Sequence, residues 1–138
     1  MKAHYRQRGF TLIEALVSLL ILSFGILGLT HFQVSTIAQV TESNSRAVAT
    51  AMSEELLSQV RSDLPNATCY TWPASGTCGN AFGTSQTKTW AGKVASTVNG
   101  FSTVTSTLAG NQLTVTITWV GKATKDKHTL VSTTDVRQ

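Results

Sequence analysis

Gly9, Phe10 and Glu14, in the run Arg8-Gly9-Phe10-Thr11-Leu12-Ile13-Glu14, are the residues whose types and spacing could do chemistry together. Glu14 is the only formal charge in the apolar run of residues 10–32. A carboxylate inside a membrane-length helix costs about 2.5–3.5 kcal/mol at the helix centre and less near its ends. An acid kept there calls for a partner. Gly9 stands before the apolar run, where a small residue can serve a peptidase. Cutting after it would release a short basic leader and leave the apolar helix on the mature protein.

The elements around these residues suit that reading. Lys2, His4, Arg6 and Arg8 precede Gly9, and no acid does. A basic flank holds that end in the cytoplasm and sends the rest outward. The apolar run is about 20 residues long, enough to span a bilayer at about 1.5 Å per residue. No Ala-x-Ala-like site follows it within the first turns of polar sequence, as an ordinary secretory signal would require.

Gly9-Phe10-Thr11-Leu12-Ile13-Glu14 resembles the prepilin-peptidase site of type IV pilins and type II secretion pseudopilins. The resemblance implies cleavage between Gly9 and Phe10, N-methylation of Phe10, and an assembly role for Glu14. The continuation, residues 16–29 followed by His31-Phe32-Gln33, is similar to PilV-type minor pilins in its Ser-x-Gly-x-x-Gly-Leu pattern and its lack of proline. A plain signal anchor with a chance Gly-Phe pair is the alternative. The resemblance is close over residues 8–33 and thin beyond.

After such a cut, the new amine on Phe10 lies four residues from Glu14, one turn along the same helix face. In a stack of helices, the acid of one subunit can meet the amine of its neighbour. Low dielectric makes that pair attractive and an unpaired acid costly, so the pair would set axial register. The competing reading is that Glu14 snorkels to the headgroup layer. Gly25 and Gly28 each cost about 1 kcal/mol relative to alanine inside a helix. They suit either close helix packing or a stretch that loosens on leaving the bilayer, as in the pilins this segment resembles. Their spacing is three, so they do not form a GxxxG motif.

The formal charge is +4, of which Lys2, Arg6 and Arg8 supply three, so the mature chain has little claim on nucleic acid. Lys122, Lys125 and Lys127 cluster around Asp126 and read as a solvated hairpin tip rather than a phosphate contact. Cys69 and Cys78 are the only cysteines, and beyond an exported helix they suggest a disulfide, with free thiols as the alternative. His4, His31 and His128 are far apart in sequence and no further ligand lies near the cysteines, so no metal or other cofactor is expected. No HExxH, phosphate loop, CxxC or GxSxG is present, and an enzyme reading has no support. Asn66-Ala67-Thr68 matches a glycosylation sequon and is taken as chance.

The pattern predicts a helix continuing to Leu64, about 80 Å in all, with Ile37, Val40, Val48, Ala51, Met52, Leu56, Val60 and Leu64 on one face. The polar stretch of residues 42–46 allows a kink, and Pro65 ends the pattern. Residues 66–87 read as a loop stapled by the cysteines, and Trp90, Val94 and Val98 as a short helix. Residues 101–108, 113–119 and 128–136 read as three strands of an antiparallel meander, the second alternating strictly. The expected fold class is therefore α+β: a long N-terminal helix packed on a small antiparallel sheet, an arrangement that is similar to type IV pilins. The expected divisions are a leader at 1–9, a membrane and filament-core helix at 10–33, its amphipathic continuation at 34–65, and an exported loop and sheet at 66–138.

The resemblance implies a minor pilin, cut by the prepilin peptidase and methyltransferase. It would cross a bacterial inner membrane once, with its N-terminus in the cytoplasm. It would then be assembled with other major and minor pilins into an extracellular pilus, supporting pilus priming, twitching motility, adhesion or DNA uptake. A minor pseudopilin of type II secretion is the runner-up. A membrane-anchored adhesin or DNA-binding module is the reading from another class, although nothing in the residues points to DNA or a host surface as partner.

Overall fold

The structure is a computed structural model that describes residues 9–75, 77–122 and 125–137. The predicted leader, apart from Gly9, lies outside them, as do Ala123 and Thr124 of the predicted hairpin tip. The chain divides after Ile37 into two units. Helix α1, Leu12–Ser62, contributes to both.

In the first unit α1 carries an outward apolar surface, with Leu16, Ile21, Phe24 and Phe32 exposed. Several of its hydroxyls turn back on their own helix. Ser18 donates to the Glu14 carbonyl, Ser23 to that of Leu19 and Thr30 to that of Leu27, at 2.7, 2.7 and 2.8 Å. These polar groups are thus satisfied without water, as a lipid-facing helix requires. By length and composition the helix can cross a membrane. It runs unbroken through Gly25 and Gly28, beside which there is open space.

In the second unit, residues 38–62 of α1 lie on an antiparallel sheet of order β1-β2-β3, formed by Phe101–Ala109, Gln112–Val120 and Lys127–Asp135. This is the α+β arrangement expected. Leu113, Val115, Ile117 and Trp119 of β2 are buried against Ala49, Leu56, Leu57 and Val60 of α1. The predicted helix face holds at Leu56 and Val60, which are buried, and at Val48, Met52 and Leu64, which pack on the core, and fails elsewhere. Ile37, Val40 and Ala51 are exposed, while Ser45, Ala49 and Ser53 are buried. The buried serines are accommodated because their hydroxyls are bonded: Ser45 to the Thr41 carbonyl, Ser53 to the Thr50 carbonyl and to Ser132 Oγ.

Two further expectations are corrected. Residues 42–46 neither kink nor fray, because Glu42 and Ser45 face the sheet and the stretch contains no proline or glycine. Residues 66–87 are not a loop throughout. A 3-10 helix covers Leu64–Tyr70, and helix α2 spans Ala81–Thr97, well ahead of Trp90. Asn80 caps α2 by accepting a hydrogen bond from the Phe82 amide at 3.0 Å. Gly83 is required there, since a Cβ would come within 2.9 Å of Cys69 Cβ. Trp90 Nε1 ties α2 to α1 by donating to the Met52 carbonyl at 2.8 Å.

Candidate functional site

Gly9, Phe10 and Glu14 lie together at the start of α1, all exposed. Thr11 opens the helix. Its hydroxyl accepts a bond from the Glu14 amide at 3.4 Å, and its carbonyl accepts from Glu14 and Ala15. The Thr-x-x-Glu spacing is that of a capping box. It places the Glu14 carboxylate in the first turn, where the helix dipole favours an anion. Among the described residues no cation stands against that carboxylate. Gly9 has open space around it, as a segment entering a peptidase would need.

Matching this geometry, the chain's start carries a known signature. Residues 4–30 match the prokaryotic N-terminal methylation motif. No curated protein and no solved structure matches the chain. The methylation motif supports a type IV pilin-like protein, of a pilus or a pseudopilus. It implies processing by a prepilin peptidase and assembly with other pilin-like subunits. The exposed apolar surface of α1 suits membrane anchoring followed by such assembly.

Cys69 and Cys78 belong to the other unit and are joined there in a disulfide, with Cα atoms 5.1 Å apart. The bridge fastens the 3-10 helix to the approach of α2. Asp63 organises the same region and was not singled out from the sequence. Its carboxylate accepts from Asn66 Nδ2 at 2.7 Å, Tyr70 Oη at 3.1 Å and Asn80 Nδ2 at 3.4 Å. Burial, then the hydrogen bond and charge of Asp63, raise the Tyr70 hydroxyl above its ordinary pKa.

Glu42 was also missed, because it reads as an ordinary polar residue of a helix. Trp119 Nε1 donates to its Oε1 at 3.2 Å, and His128 Nε2 lies 3.2 Å from the same oxygen. The Trp119 and His128 rings stack with centroids 5.6 Å apart. This cluster fastens α1 to β2 and β3. Among the described residues, no three of histidine, cysteine, aspartate and glutamate gather as metal ligands.

Proposed function

We propose that the protein is a minor pilin of a type IV pilus. It is cut between Gly9 and Phe10, methylated on Phe10, and packed through α1 into the filament with other major and minor pilins. It passes through the inner membrane once, N-terminus inward, before export to the pilus. The observation that carries this reading is the lone Glu14 carboxylate at the head of an exposed apolar helix whose Ser18, Ser23 and Thr30 hydroxyls bond back to their own helix. The amine freed on Phe10 of an adjoining subunit supplies the missing cation and fixes the axial step between subunits.

Replacing Glu14→Ala tests it. The variant is expected in the membrane and cut normally, yet reduced at least about tenfold in sheared filaments, the loss of a buried charge pair. Normal incorporation would contradict the proposal and favour an anchored binding module acting outside any filament. The processing motif is common to pilins and pseudopilins, so pseudopilin of type II secretion is the second reading. The Gly-Leu ending of the apolar run favours the pilus, and a pilus rather than a secretion operon beside the gene would separate them.

A further inference from the structure

The two edges of the sheet are not alike. On β1 the amide and carbonyl of Ser106 both bond to Trp72, at 2.7 and 2.8 Å, so that edge is occupied. Ser106 therefore turns its backbone away from β2. The alternation of an antiparallel ladder fixes the rest. Val115, opposite Ser106, directs its backbone groups to Ser132 of β3, and Thr129, Val131 and Thr133 direct theirs outward. Among the described residues nothing bonds to that outer edge.

The side chains along this edge have a symmetry of their own. Val131 is 57% exposed in the middle of β3, flanked by the exposed threonines Thr129 and Thr133. Lys127 begins the strand and Asp135 ends it, each four residues from Val131; the Asp135 carboxylate also holds Arg137 of its own chain in an exposed pair at 3.0 Å, which partner Lys127 would share. We propose that β3 pairs with β3 of a second copy of this chain, antiparallel, about a two-fold axis at Val131. Val131 then meets Val131, Thr129 meets Thr133, and Lys127 meets Asp135 at both ends. The residues brought opposite one another are those whose backbone groups point outward, so hydrogen bonding and charge select one register. Two three-stranded sheets become one of six strands.

The same axis acts on α1. Thr50 and Arg61 lie on one flank of that helix, and Arg61 Nε donates to Thr134 of β3 at 2.9 Å. Glu42 contacts His128 and Ser53 contacts Ser132, which places Thr50 level with Val131. Arg46 and Glu54 are exposed, four residues either side of Thr50, and reversal of the helix sets each against the other's counterpart. The pairing goes beyond the pilin reading and does not rest on it. A single edge contact is weak, and arrays of copies strengthen it through multivalency.

A thiol at the axis tests this. Both native cysteines are in the disulfide, so Val131→Cys adds the only free one. In full-length protein in detergent at low salt, it is expected to form disulfide-linked dimers at least about tenfold faster than Thr107→Cys, since a two-fold places it within bridging distance of itself. Adding Lys127→Glu sets two acids together at each end, and adding Asp135→Lys sets two lysines together. Each reversal alone is expected to slow linking about tenfold. Mixing the two reversed proteins makes both ends complementary again, so mixed dimers form at the parental rate while each alone does not. Lys127→Gln and Asp135→Asn repeat the test should a reversal unfold the protein, each with slowing of about threefold. Association through the apolar helix would ignore these charges. Linking no faster than at Thr107→Cys, or insensitivity to both sets of charge changes, would overturn the proposal; so would reversals that fold but show no recovery on mixing.

Discussion

Leu16, Ile21 and Phe24 face outward in the first unit while Ser18 and Ser23 bond inward to their own helix; in the second unit Leu56, Val115 and Trp119 are buried while Thr129 and Thr133 face outward. One region is inside-out with respect to the other. Buried apolar surface contributes about 25 cal/mol per Å² removed from water. The second unit collects that contribution within its own core. The first can collect it only from lipid or from other subunits. Helix α1 joins both solutions in one element, so its sequence changes character along its length. Apolar residues surround it in the first unit, whereas a stripe of Ser45, Ala49, Ser53, Leu56, Leu57 and Val60 is buried in the second.

The comparison can be broken from either side. The largest effect belongs to the first unit. Gly9→Ala is expected to leave the leader attached, an all-or-none change read on a gel by the larger mass of the membrane-bound chain. It should leave melting of the second unit unchanged. Leu56→Ala acts the other way. It empties a fully buried position and is expected to cost about 2–5 kcal/mol in denaturant unfolding, with cleavage after Gly9 preserved. Loss of cleavage there would show that the units are not separable.

Removing the staple sharpens the picture within the second unit. Cys69→Ala with Cys78→Ala is expected to cost about 2–3 kcal/mol, measured by the same unfolding. The smallest effect is at Tyr70. Its folded pKa is raised, so the folded state holds the phenol proton more tightly than the unfolded chain. That contribution is whole below the unfolded pKa of about 10 and is lost as pH rises through the folded value. Tyr70→Phe is expected to flatten the alkaline end of the stability profile and leave neutral unfolding cooperative.

Much of this was legible in the residues. The alternation of Leu113, Val115, Ile117 and Trp119 identified the central strand, and Gly110-Asn111 its turn, because period two and turn chemistry are local signals. The helix face was misread at Ala51 and Val40, since hydrophobicity alone does not show that Ser45 and Ser53 satisfy their hydroxyls within the helix and can be buried. The start of α2 was hidden for a similar reason. Residues 81–89 are small or polar, and what makes them helical is the Asn80 cap and the packing of Gly83 on Cys69. The methylation motif that holds Gly9, Phe10 and Glu14 was legible because its spacing is itself the signal. Glu42 and Asp63 were not, because their partners lie in distant sequence or in a loop whose path is unknown until it is folded.

The mass of the native polypeptide tests the central claim most directly. The account predicts a chain that begins at Phe10 and is one methyl group heavier than its residues alone. A chain that still carries Met1, or one that begins beyond the apolar helix, would leave Glu14 without its cation and contradict the account.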